Sequence, residues 1–132
     1  MVSTACPCGS VKTYLRCCGP YHTGLGMPRT ARQLMRSRYS AYALGSLGQY
    51  LIDTWHPSAR TGLDAAELSE LSQSWLGLII VDASQNGDTA EVEFKASFED
   101  SDGSHQTHHE ISTFSRIDGQ WFYLDGKTPT TP

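Results

Sequence analysis

All four cysteines of the chain lie in one short stretch, ACPCGSVKTYLRCCGP, as Cys6, Cys8, Cys17 and Cys18. Local disulfides fit this spacing poorly. Cys17 and Cys18 are adjacent and Cys6 and Cys8 are one residue apart, whereas a bridge prefers ~5.5–6 Å between Cα atoms. Cross-pairing of the two clusters stays open, and so does a free-thiol role. A tetrahedral metal site accounts for more of the pattern. Cys-Pro-Cys-Gly supplies two sulfurs from one tight turn, with Pro7 restricting the backbone and Gly9 freeing the next amides. The spacer from Gly9 to Arg16 is about two helical turns, enough to return Cys17 and Cys18 to the same point. Ser10 suits a helix N-cap, VKTYLRCC a short helix and Gly19-Pro20 its stop. Four protein ligands close the coordination sphere, so such a metal is structural rather than catalytic.

The rest of the chain bounds the role of this unit. A length of 132 residues, 39% hydrophobic and 18% charged, suits one globular domain with a small appendage. No run reaches the ~20 apolar residues of a membrane helix. The first residues lack the basic and apolar regions of an export signal, so a cytoplasmic location is expected. A net charge of −4, made more negative by thiolates around a divalent ion, speaks against a general nucleic-acid binder. The first third is nonetheless basic. Lys12, Arg16, Arg29, Arg32, Arg36 and Arg38 all precede the first acidic residue, Asp53. They either offset the thiolates or face an anionic partner.

Residues 1–20 therefore read as the cysteine unit, 21–28 (YHTGLGMP) as a linker and 128–132 as a loose tail. Between them, Thr30 caps a helix with Leu34, Met35, Tyr39, Ala41 and Tyr42 on an apolar stripe. Gly45 and Gly48 break it before a short helix through QYLIDTW, which His56-Pro57 ends. Asp64 and Glu67 resemble a capping box for a third helix, AAELSELSQSW, with Leu68, Leu71 and Trp75 on one face. The period then switches to two. Leu76–Gln85 reads as a buried strand, closed by the hairpin turn Asn86–Asp88. TAEVEFKASFED alternates as a strand wet on one face; turns at Ser101–Gly103 and Asp118-Gly119 introduce Ser104–Arg116 and QWFYLDG. Helices followed by a four-strand antiparallel meander make an α+β fold.

CPCGSVKTYLRCCG resembles the SEC-C motif, matching its Cys-x-Cys-x8-Cys-(Cys/His) pattern at all four positions, with Gly9, Ser10, Tyr14 and Gly19 besides. Val11 departs from it, because the family usually has glycine there. The resemblance implies one structural Zn²⁺ on Cys6, Cys8, Cys17 and Cys18, and contacts with proteins or acidic phospholipid. LMRSRYSAY, YLIDTWHPS, WLGL and DGQWFYLDG, in that order, resemble the YchJ-like (UPF0225) family. Together with the cysteine unit they span nearly the whole chain. This likeness implies that residues 29–127 form an NTF2-like cone, helices packed in the concave side of a curved sheet, often around a pocket. It brings no established activity.

A pocket of that kind would draw on Arg38, Tyr39, Tyr42, Asp53, Trp55, His56, Trp75, Trp121 and Asp125. Carboxylate or His bases and Tyr donors among apolar walls are the usual acid–base equipment of such cones. Each has a plainer reading. The tyrosines and tryptophans suit a core, Asp53 a helix end, His56 a turn and Asp125 a strand end. Arg36 and Arg38 lie ~200° apart on a helix, so only one can face inward. An inward Arg38 would need a carboxylate such as Asp53 or Asp125. In HQTHHE, His105 and His109 share one strand face and His108 takes the other, a pattern more often solvated than metal-binding. The sequence thus favours a zinc-binding adaptor, with Lys12, Arg16, Arg29 and Arg32 available to a protein partner or, with weaker support, anionic lipid or nucleic acid. The alternative is a small isomerase-, dehydratase- or hydrolase-like enzyme that takes a small-molecule ligand in the cone.

Overall fold

The computed structural model describes residues 4–70 and 74–128. Four antiparallel strands, β1 (Ser74–Asn86), β2 (Thr89–Glu99), β3 (His105–Ile117) and β4 (Gln120–Lys127), pair in sequence order. The helices α1 (Gly19–Thr23), α2 (Ala31–Leu44), α3 (Gly48–Asp53) and α4 (Ala65–Leu68) precede the sheet. This is the α+β order expected from the switch in hydrophobic period.

α2 is positioned by its ends. Thr30 accepts a hydrogen bond from the Gln33 amide, and Gly45 closes the helix at φ 74°. Its Leu34 and Ala41 are fully buried, and the helix packs on β1, β2 and β4. On β2, Ala90, Val92, Phe94 and Ala96 turn inward and alternate with exposed or half-buried polar residues. The helices cover only one face of β1. Trp75, Leu78 and Ile80 turn inward, while Leu76, Ile79 and Val81 are 48–64% exposed. The expected strand is therefore present but not buried on both sides.

The chain departs from expectation at three other places. No helix starts at Ser10: its hydroxyl lies 3.0 Å from Cys17 Sγ, and only a 3₁₀ turn forms, at Tyr14–Arg16. The backbone at Val11, at φ 65°, is left-handed and so outside the helical region. The helix instead starts beyond Cys18, because Pro20 occupies its first turn, where a missing N–H costs nothing. α1 so takes up part of the supposed linker. The helix capped by Asp64 ends at Leu68, and Trp75 lies on β1; Leu71 lies outside the described residues, as does the tail from 129.

Left-handed backbone costs a branched residue about 1–2 kcal/mol, and glycine none of it. Val11 is 96% exposed and packs on nothing that would compensate. Val11→Gly should therefore stabilise the protein by about 0.5–1 kcal/mol after the extra chain entropy of glycine is deducted. A thermal melt that fell or stayed level would contradict the strain.

Candidate metal centre and cone cavity

The N-terminal residues form a small knuckle. The Cys6 amide donates to the Lys12 carbonyl and the Tyr14 amide to the Thr4 carbonyl, closing a tight hairpin. Gly9, at φ 79°, turns the chain beside Cys8 and donates to the Cys6 carbonyl. The four Sγ atoms then lie within 4.8 Å of one another, with Cys8–Cys17 at 3.6 Å and Cys17–Cys18 at 3.9 Å. Sulfurs bound at ~2.3 Å around a tetrahedral ion stand ~3.8 Å apart, so the spacing fits such an ion. The thiols share protons unequally. Cys8 is pulled down to about 4, first by the hydrogen bond from Cys18, and Cys18 is pushed up by the same bond and by burial. Cys8 so carries thiolate character, the form that ligates metal.

The knuckle is docked, not tethered. Cys6, Cys8 and Cys18 are at most 4% exposed and share one core with Leu34, Met35, Tyr39 and Leu78. Ser40 of α2 lies 3.5 Å from Cys6 Sγ and donates to Cys18 Sγ at 3.4 Å. Arg36 donates to the Cys8 carbonyl at 2.8 Å. His22, placed by the sequence in a linker, joins both sides: its Nε2 donates to the Ser37 carbonyl, leaving Nδ1 to accept from the Tyr14 hydroxyl. Burial lowers its pKa, which favours this neutral form.

α2 also lines a cavity of about 360 Å³ inside the cone, which Met35 and Tyr39 border from the cysteine core. Met35, Arg38, Tyr39 and Tyr42 reach it at helical spacing, and Trp55, Trp75, Phe94, Phe98 and Tyr123 complete aromatic walls. Arg38 faces inward at 3% exposure. Its Nη1 donates to the Leu51 carbonyl and to Thr54 Oγ1, both at 2.7 Å. Its guanidinium lies 4.6 Å from the Trp55 ring and 4.7 Å from that of Tyr123. The expected carboxylate partner is absent among the described residues.

The other sequence candidates lie elsewhere. Asp53 ends the six-residue α3 on its exposed side and accepts from Gln49. His56 holds the turn at Pro57–Ala59 by accepting from the Ser58 amide. Trp121 is core, 1% exposed, and donates to the Arg29 carbonyl. Asp125 is turned to solvent by a bulge: Phe114 pairs with Tyr123 but Thr113 pairs with Asp125, so Leu124 is the extra residue and the faces exchange. The carboxylate in the cavity is Glu110, accompanied by His108, both from the stretch read as a solvated strand. Glu110 accepts from His108 Nε2 at 2.9 Å, Ser112 Oγ at 2.5 Å and Tyr123 OH at 3.3 Å. Beside it, desolvation by burial raises the Tyr42 and Tyr123 hydroxyls above the ordinary phenol range. His109, on the other strand face, bonds Glu93 rather than sharing a metal with His105. Lys12, Arg16, Arg29 and Arg32 are all exposed.

Comparison with known proteins agrees with this architecture. The family model described as YchJ, middle NTF2-like domain, matches residues 30–126. A UPF0225 protein of Ralstonia nicotianae is 45% identical, the match covering 94% of this chain and 91% of that one. One from Serratia proteamaculans is 44% identical, with 94% and 83% covered. The solution structure of a SEC-C motif containing protein from Rhodopseudomonas palustris superposes with a TM-score of 0.87 at 35% identity, covering 95% of this chain and 98% of that one.

Proposed function

The chain belongs to the YchJ-like UPF0225 family, and within that frame we propose a zinc-clamped binding protein. One structural Zn²⁺, held by Cys6, Cys8, Cys17 and Cys18, locks the knuckle onto α2. The knuckle's outer surface then engages an acidic protein partner. The observation that carries this reading is the closed four-sulfur cluster, which offers an ion no open position for substrate. Outward, the knuckle and the segment after it expose Val11 (96%), Leu15 (71%) and Leu25 (86%) alongside Lys12, Arg16, Arg29 and Arg32. Apolar and basic groups together suit an acidic, amphipathic protein surface.

Native mass spectrometry should find one zinc per chain, lost in a Cys17→Ser/Cys18→Ser double variant. A stoichiometry unchanged by that variant would refute the metal assignment. Co-purification from a bacterial host should recover an acidic protein with wild type and not with Leu15→Glu/Arg16→Glu, which leaves zinc content intact. Capture of anionic vesicles or nucleic acid instead, with affinity falling steeply as salt rises, would replace the protein partner by a charged surface. The enzymatic alternative has one supporting observation, the Glu110–His108 pair in an aromatic cavity. It would have to use those residues, since Asp53 and His56 lie outside.

A further inference from the structure

Arg38 carries a charge that no ion pair answers among the described residues. It is 3% exposed and lines the cone cavity, and among the described residues no carboxylate comes within ion-pair distance. The clamp of Leu51 O, Thr54 Oγ1, Trp55 and Tyr123 fixes the guanidinium plane without neutralising it. Among the described residues the Nε and Nη2 donors meet no carbonyl or carboxylate; the nearby Tyr42 hydroxyl is the polar group beside them. A buried cation in this state is costly unless something else supplies the anion. Glu110 answers it only at a distance: its charge favours the Arg38 cation, but its carboxylate is held by His108, Ser112 and Tyr123 and forms no ion pair with the guanidinium. Among the described residues the cavity so presents a cation without an ion-pair partner and a pinned carboxylate, separated by more than an ion-pair distance and walled by aromatic rings.

We infer that this cavity binds a small aromatic carboxylate bearing a hydroxyl or N–H donor, its carboxylate on Arg38 and its donor on Glu110. The inference does not rest on the zinc-clamped reading, since Arg38 and Glu110, which would hold the ligand, touch none of the cysteines. A volume of about 360 Å³ lies at the lower end of ligand sites. The walls favour a planar body through edge-on and stacked ring contacts. A single negative charge balances Arg38, and a guanidinium edge accepts a carboxylate in two parallel hydrogen bonds. A phosphate dianion would set surplus negative charge against Glu110.

Titration of the chain as purified, followed by NMR of the tryptophan indole N–H groups, tests this. The probes are 4-hydroxyphenylacetate, its neutral amide, and phenylacetate. The hydroxy acid should bind with Kd of about 10–1,000 μM, shifting Trp55 and Trp75 and sparing Trp121. The amide should bind at least ~10-fold more weakly, and phenylacetate should fall between them. Arg38→Gln should reduce the acid to the affinity of the amide. Should that variant fail to fold, the acid–amide comparison on wild type still decides the matter. Ala96→Phe, which fills the cavity, should abolish the shifts. Equal binding of acid and amide would overturn the inference. So would the absence of Trp55 and Trp75 shifts with 4-hydroxyphenylacetate, 4-hydroxybenzoate and indole-3-carboxylate, each at about 10 mM.

Discussion

On the zinc-clamped reading, removing the metal from the four-cysteine cluster should destabilise the whole cone, not only the knuckle that carries the cysteines. Cys6, Cys8 and Cys18 belong to the same buried cluster as Leu34, Val92, Phe94 and Phe114. Arg36 and Ser40 tie the knuckle to α2 through the Cys8 carbonyl and two sulfurs. Without an ion, the cluster must keep its thiols protonated or bury thiolate charge, and both weaken the docking. Ligand binding free energy in small zinc units is of order 10–16 kcal/mol, part of which appears directly as folding free energy. Here the cone has a core of its own, so a loss of about 3–5 kcal/mol is expected for chelated wild type or Cys18→Ser. For a chain of this length that is a fall in melting temperature of about 10–20 °C. Amide signals of Arg36, Tyr39 and Ser40 should shift at the same time. An unchanged melt after complete metal removal would mean that the knuckle is an appendage.

The elements legible in the sequence were those fixed by local chemistry. The cysteine spacing pointed to four sulfurs at one place, the Thr30 cap and apolar stripe to α2, and the Asn86–Asp88 turn to the β1–β2 hairpin. The failures came where tertiary contacts override local signals. Ser10 has the chemistry of a cap, but Cys17 Sγ takes its hydroxyl. Asp64 does cap a helix, but α4 ends at Leu68 and Trp75 is drawn into β1, against Tyr39 and Phe98.

The cavity was half legible. Arg38, Tyr39 and Tyr42 follow from the α2 stripe. Glu110 could also have been found: a hairpin centred on Asp102 pairs residues equidistant from it, which sets Glu110 opposite Phe94 and turns both inward. Composition pointed the other way, because HQTHHE looks solvated. Asp125 was beyond reach for a different reason. Its parity with Tyr123 places it inward, and only the bulge at Leu124, a long-range pairing feature, reverses it. The carboxylate expected beside Arg38 is replaced among the described residues by a carbonyl, a hydroxyl and two rings, which orient the guanidinium without carrying a countercharge.

Gly48→Ala should cost about 2–4 kcal/mol, opposite in sign to what helix propensity expects. Alanine is favoured over glycine in a helix by about 1 kcal/mol, so an exposed position in α3 would gain stability. Gly48 is instead buried, where α3 runs against α4. A Cβ there would overlap the Ala65 carbonyl oxygen and come within 2.6 Å of Ser69 Oγ. Neither can withdraw. The Ala65 carbonyl accepts from both the Ser69 amide and its hydroxyl, and Ser69 Oγ accepts from the Gly48 amide at 2.8 Å. The Ser46 amide donates to the Ser69 carbonyl, holding the approach from the other side. Removing the hydroxyl in Gly48→Ala/Ser69→Ala should therefore give little rescue, because the backbone overlap remains. Relief requires α3 to move, and α3 carries the Leu51 carbonyl that fixes Arg38. Urea unfolding should show a lower midpoint with the slope unchanged, together with shifts in the Trp55 indole signal. A midpoint at or above that of wild type would mean that α3 and α4 stand farther apart than this packing requires.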